Sequence, residues 1–172
     1  DGPVLRELIF EKVKTVTLTS ATLAASGEFT FLEGRVGLAI DPSPVTERAI
    51  LPSPFDYLEQ CVLGIPNDIP DPREDEMGHA EAVVQVVTDL AHASDGGMFV
   101  LFTSHSALRR TAGELRATIG EHWPILVQGE APRDTLLRRF RELGRAILLG
   151  TESFWEGVDV PGRALRALVL TK

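Results

Sequence analysis

The sequence predicts an α/β fold built on a mainly parallel sheet, and two observations carry that expectation. From residue 60 onward, short apolar runs alternate with amphipathic stretches of helix length. Strands separated in this way are joined by βαβ crossovers, which cover both faces of a parallel sheet. Polar and small residues break the apolar pattern at the ends of the runs, where open parallel sheets bind their ligands.

The elements follow in order. Residues 4–12 read as a short helix, and residues 13–19, β-branched and alternating, as a strand ending in Thr19-Ser20-Ala21-Thr22-Leu23. A polar, glycine-containing helix or turn runs to about Leu38. Pro42, Pro44, Pro52 and Pro54 then mark a linker. Residues 60–65 read as a strand, which places Cys61 in the core. Residues 77–93 form an amphipathic helix with Ala80, Val83, Val84, Val87, Leu90 and Ala91 on one face. An apolar strand over 98–103 leads to a helix over 106–119 that carries Leu108, Ala112, Leu115 and Ile119 in register. A strand over 124–127 precedes a helix over 133–143 that buries Leu136, Leu137 and Phe140. Strands over 146–149 and 165–170 complete the pattern.

The bulk composition sets limits. The chain has 172 residues, 44% hydrophobic and 24% charged, which suits a globular domain with a real core. No apolar run is long enough to span a bilayer, and Asp1-Gly2-Pro3 does not open a signal peptide. The single cysteine rules out an internal disulfide, so a reducing, cytoplasmic setting is expected. A net charge of −8 argues against a surface coated in phosphate contacts. The arginines crowd into the second half of the chain, which reads as solvated helix faces.

Four strand-end segments hold the candidate chemistry. Thr103-Ser104-His105-Ser106 ends a strand and opens a helix. Its hydroxyls can cap free backbone N–H groups, and the same N–H groups and helix dipole attract phosphate. Gln128-Gly129-Glu130-Ala131-Pro132 is a second strand-to-helix turn. There Gly129 permits positive φ or close approach by a ligand, and Pro132 fits a first helical turn. Residues 151–162 are long for a βα connection and hold Phe154 and Trp155 beside Gly157. Thr151 and Ser153 can donate to phosphate oxygens, and Asp159 can accept from a ribose hydroxyl or a partner arginine. Trp155 as a core plug and Asp159 as a turn cap form the alternative. The fourth segment, residues 19–23, reads as a further strand-to-helix cap.

Other chemistry is excluded. His79, His92, His105 and His122 lack metal-ligand spacing, and no Ser/His/Asp order is persuasive. The chain has no G-x-x-x-x-G-K-[ST] phosphate loop and no acidic Mg²⁺ box after an apolar strand. Gly34 and Gly37 form no dinucleotide fingerprint.

Taken in order, the segments resemble the later helicase motifs of superfamily 2 in the DinG/XPD (Rad3-like) form. Leu18-Thr19-Ser20-Ala21-Thr22-Leu23 resembles motif III, and Leu101-Phe102-Thr103-Ser104 resembles motif IV. Gln128-Gly129 before an arginine-rich helix resembles the segment that follows. Ser153-Phe154-Trp155-Glu156-Gly157-Val158-Asp159-Val160-Pro161-Gly162 resembles motif V, and Ser53-Pro54-Phe55-Asp56-Tyr57 the family's entry into this domain.

The resemblance implies a RecA-like (P-loop NTPase-like) three-layer sandwich. Residues 1–40 would end a first motor domain or lead into the second. Residues 41–56 would link, and residues 57–172 would form a C-terminally truncated second motor domain. Ser20 and Thr22 would couple ATP hydrolysis to domain movement. Thr103, Ser104, Gly129, Thr151 and Ser153 would contact single-stranded or forked DNA, and Gly157 and Asp159 would face the ATP cleft. The whole would be a 5′-3′ ATP-dependent DNA helicase of repair or replication, cytoplasmic and nucleoid-associated in a bacterium. A nuclease-linked motor and a non-catalytic scaffold are the alternatives. ATP and Mg²⁺ would be held mainly by the first motor domain. A 4Fe-4S cluster, where present, would lie elsewhere, because one cysteine cannot hold it. Without the phosphate loop and the family's final arginine-finger motif, the chain by itself is expected to lack ATPase activity.

Overall fold

A computed structural model of the chain describes residues 2–40, 44, 46–155 and 158–171, the side chains of residues 152 and 153 aside. The chain divides into two compact units, Asp1–Gly64 and Ile65–Lys172. The division falls after the expected linker over 41–56, so the segment opening on Tyr57 goes with the first unit.

In the first unit, helix α1 (Gly2–Leu5) runs into a π-helical turn, Arg6–Phe10, where the sequence predicted one α-helix. Helix α2 (Thr30–Val36) stops at Gly37, and helix α3 (Tyr57–Gln60) is capped by Asp56, whose side chain accepts from the Leu58 and Glu59 N–H groups. The Arg48 guanidinium donates to Glu33. Two expected strands do not form. Among the described residues, 13–20 have no ladder partner, and the unit's one β pairing is the isolated Ala25–Glu28 bridge. A β-rich sequence becomes a strand only when its N–H and C=O groups find a partner. Residues 60–65 likewise finish α3 and continue without regular structure, with Val62 and Leu63 exposed. Cys61, expected in the core, is therefore exposed.

The second unit carries the sheet. Helix α4 (Glu76–Ser94) starts at Asp75, whose carboxylate accepts from the Gly78 N–H. Strand β1 (Met98–Phe102) follows, then helix α5 (His105–Ile119), strand β2 (Ile125–Val127), helix α6 (Arg133–Leu143), strand β3 (Ile147–Thr151), the short helix α7 (Glu152–Trp155) and strand β4 (Ala167–Leu170). Apart from α7, which lies in the segment read from sequence as a long connection, each sits within a few residues of its sequence-predicted span. The strands lie in the order β2-β3-β1-β4, and every pairing is parallel. This is the α/β architecture expected, in its RecA-like form.

Alternation along the buried strands makes three layers. Met98, Val100, Phe102, Ile147 and Leu149 face Val83, Val87 and Ala91 of α4 and Leu108, Ala112, Leu115 and Ile119 of α5. Phe99, Leu126 and Leu148 face Leu136, Leu137 and Phe140 of α6. Each fully buried large side chain contributes about 1.5–3 kcal/mol relative to exposure. Phe99 and Phe140 pack with ring centroids 4.6 Å apart.

At the N-terminal edge of the sheet, Arg166 closes the unit. Its guanidinium donates to the carbonyl oxygens of Ser94, Asp95, Gly144 and Arg163 at 2.6–3.0 Å. Asp95 beside it accepts from Arg145 at 2.8 Å and from the Trp123 indole N–H at 3.3 Å. That edge is tied shut by side-chain-to-backbone bonds, while the opposite edge holds the segments with candidate chemistry.

Candidate functional site

The C-terminal ends of β1, β2 and β3 lie side by side because the strands are parallel, with β3 between the other two. After β1, Thr103 is exposed and Ser104 caps α5, its hydroxyl accepting from the Ala107 N–H at 3.2 Å. The Ser106 hydroxyl lies 3.2 Å from that of Ser104. Two hydroxyls thus stand at the start of a fifteen-residue helix, where the dipole favours an anion. Behind them is a cavity of about 150 Å³ lined by residues that include His79, Phe102, Arg110 and Thr171. Arg110 is held to Glu76 at 2.9 Å.

After β2, the chain turns through Gly129 at φ 96°, a left-handed conformation that favours glycine, and a side chain there would project into open space. Pro132 is the residue just before α6 rather than within its first turn. Glu130 accepts from Arg116 at 2.7 Å. That hydrogen bond raises the Arg116 guanidinium above its ordinary value, with desolvation opposing it and the charge of Glu130 adding to it.

The Gln128 side chain is the link that residue types alone did not single out. Its amide oxygen accepts from the Thr151 N–H at 2.6 Å and from the Thr151 hydroxyl at 3.1 Å. It therefore joins the end of β2 to the last residue of β3, where the long segment begins. Thr151 is only 8% exposed. Its hydroxyl is engaged by Gln128 inside the protein.

Beyond Thr151, the two aromatics pack inward. Phe154 is buried with Phe99 and Phe140, and the Trp155 ring lies 3.9 Å from that of Phe99 at 34°. Gly150 makes room for them: a Cβ there would stand 3.2 Å from the Phe154 ring and from the indole nitrogen of Trp155. Trp155 therefore packs against the core, as the alternative for that residue had it, and Phe154 is buried beside it. Asp159 is exposed. Its carbonyl oxygen accepts from Arg141 at 2.8 Å, and the Phe154 carbonyl accepts from Arg133 at 3.0 Å. The arginine-rich pattern had read as a solvated helix face; what betrays these two is their spacing along α6, about two turns apart. Gly157 and the Ser153 side chain lie outside the described residues.

In the first unit, the Ser20 hydroxyl accepts from the Thr22 N–H at 3.2 Å and lies 3.3 Å from the Thr22 hydroxyl. These two expected coupling residues make a local turn of their own. Among the described residues, no group of His, Cys, Asp and Glu side chains is arranged to hold a metal. Cys61, the lone cysteine of the chain, is exposed. Among the same residues, no helix is long and apolar enough to cross a membrane.

Comparison with known proteins agrees with the arrangement. A family described as the helicase C-terminal domain matches residues 87–172. The chain is 35% identical over 167 residues to the ATP-dependent DNA helicase YoaA of Escherichia coli, covering 97% of this chain and 25% of that protein. It is 34% identical over 177 residues to the 3′-5′ exonuclease DinG of Bacillus subtilis, covering 99% of this chain and 18% of that protein. It is 32% identical over 176 residues to the ATP-dependent DNA helicase DinG of Photobacterium profundum, covering 99% of this chain and 25% of that protein. The chain thus spans a quarter or less of these relatives. With a parallel RecA-like sheet, a capped helix start after β1 and an aromatic, glycine-bearing segment after β3, the chain belongs to the helicase C-terminal domain family, in its DinG/XPD-type form.

Proposed function

We propose that this chain is part of an ATP-driven DNA helicase and supplies one wall of a cleft that binds ATP and single-stranded DNA. The observation that carries the reading is the convergence at one sheet edge of the Ser104-capped start of α5, the Gly129 turn and the segment from Thr151 to Asp159. Thr103, Ser104, Gly129 and Ser153 are the proposed DNA contacts, through hydroxyls and backbone amides suited to phosphate. Thr151, tied to Gln128, supports that contact from behind. Gly157 and Asp159 are the proposed nucleotide side, and Ser20 and Thr22 the proposed coupling residues.

The relatives' names, ATP-dependent DNA helicase in two cases, support ATP as the fuel and DNA as the track. A first RecA-like domain, residues 1–40 as its end or lead-in and residues 41–56 as a linker complete the proposed arrangement. Closure of two such domains on ATP would move the DNA contacts, and hydrolysis would release them. A 5′-3′ direction, a repair or replication role and nucleoid association belong to the same proposal. The test is ATP hydrolysis and unwinding by the full-length protein. Hydrolysis that rises with single-stranded DNA, with unwinding of a 5′-tailed duplex, supports the reading; ATP turnover indifferent to DNA contradicts it.

One relative bears an exonuclease name, which favours a second reading: a motor that feeds single strands to a nuclease. Degradation of single-stranded DNA by the full-length protein without unwinding would select it.

A further inference from the structure

Helix α6 carries Arg133, Arg138, Arg139 and Arg141, and these side chains do two different things. Arg138 lies beside Glu142 at 4.0 Å and Arg139 is exposed. Arg133 and Arg141 instead reach the main chain of the segment leaving β3. Arg133 Nε donates to the Phe154 carbonyl at 3.0 Å, with its guanidinium 6.0 Å from the centre of the Phe154 ring. Arg141 Nη2 donates to the Asp159 carbonyl at 2.8 Å.

The helix behind them is immobilised by Leu136, Leu137 and Phe140, all buried. Two guanidinium groups on a rigid support thus grip two carbonyls five residues apart. Carbonyls carry no side-chain identity, so the grip fixes the path of the segment and not its sequence. Gln128 fixes its first residue in the same way, through the Thr151 N–H.

We propose that Arg133 and Arg141 are positioning residues that hold the segment carrying Asp159 against α6, and are not phosphate contacts. The role rests on the reading of that segment as a cleft wall. An arginine on a basic helix of a DNA-binding protein is ordinarily taken for a backbone-phosphate contact, and the two roles part in measurement. Neutralising one phosphate contact changes the slope of log K against log salt by about 0.7 for a single strand, whereas a positioning residue leaves the slope alone.

The experiment uses the full-length protein with Arg133→Met, Arg141→Met and, as a charge control from the same helix, Arg139→Met. Oligo-dT affinity is measured across salt, and ATP turnover is measured at saturating oligo-dT. The expected result is a fall in kcat of about tenfold for Arg133→Met and Arg141→Met, as for loss of a charge-assisted hydrogen bond. Their salt slopes should equal that of Arg139→Met, and Arg133→Lys should recover part of the rate. A slope lowered by about 0.7 for either variant relative to that control, or an unchanged kcat, overturns the proposal.

Hydrogen exchange on the 172-residue chain separates this claim from the functional reading. In Arg133→Met, the amides of Phe154, Trp155, Val158 and Val160 should exchange about threefold to tenfold faster, with those of β3 and α6 unchanged. Unchanged exchange overturns the positioning role. A wild-type protein without DNA-stimulated hydrolysis, but with faster exchange in the variant, overturns the cleft-wall reading alone.

Discussion

Replacing Gln128 by alanine tests how the base of the β3 segment is held. The Gln128 amide oxygen accepts two hydrogen bonds from Thr151, from the N–H at 2.6 Å and the hydroxyl at 3.1 Å. Thr151 is buried, so water reaches its donors poorly. Each neutral bond contributes about 1 kcal/mol net, so Gln128→Ala should lose about 2 kcal/mol. For a chain of this size that lowers the Tm by about 4–8 °C. The Gln128 backbone N–H still donates to the Leu149 carbonyl, so the loss belongs to the side chain. Thr151→Val removes only the hydroxyl and should lose about 1 kcal/mol. The double variant should fall short of the sum by about 1 kcal/mol, because the hydroxyl bond is counted in both single variants. Gln128→Glu keeps an acceptor in place and should be milder than Gln128→Ala. Urea unfolding of all four variants measures this. Strict additivity of Gln128→Ala and Thr151→Val, or a Gln128→Ala variant as stable as the parent, would refute the link.

Three further predictions concern other parts of the chain. Arg166→Met removes the donor to four carbonyls at the N-terminal edge and should lose about 2 kcal/mol in urea unfolding; an unchanged midpoint would show that water replaces it fully. Ser104→Ala should lose about 1 kcal/mol with the cap, whereas Ser104→Asp should keep the helix start yet weaken oligo-dT binding by adding negative charge; tighter binding by the aspartate variant would count against a phosphate contact there. Arg48 holds the Glu33 carboxyl below the usual carboxylate range through its hydrogen bond first, with burial opposing and its charge adding. A lowered folded-state pKa gives a contribution present above the unfolded value and lost as pH falls through the folded one, so NMR titration of Glu33 should move up in Arg48→Ala, and an unmoved titration would refute the pairing.

The second unit was legible because its strands and helices carry their own periodicity. Val83, Val87 and Ala91 in α4, and Leu108, Ala112, Leu115 and Ile119 in α5, face the sheet in the register their spacing gives. The first unit was less legible for the complementary reason. Residues 13–19 and 60–65 have strand-like composition, but a strand is a pairing, and among the described residues no partner meets them. Site segments were readable as interruptions of apolar pattern at strand ends, and Gly129 takes the positive φ its place suggested. Side-chain direction was not readable. Thr151 has the residue type of a phosphate contact, yet its hydroxyl donates to Gln128. Arg133 and Arg141 have the composition of a solvated face, yet they bind carbonyls brought close only by the fold.

The most direct test of the central claim is to map where single-stranded DNA meets the chain. Backbone amide shifts of the 172-residue chain, followed during titration with oligo-dT, make that map. The predicted result is change concentrated at Thr103, Ser104, Ser106 and Gly129, the C-terminal edge of the sheet, with Asp95, Gly144 and Arg166 unmoved. Change concentrated at Asp95, Gly144 and Arg166, with the Ser104 and Gly129 amides silent, would contradict the assignment of the DNA face.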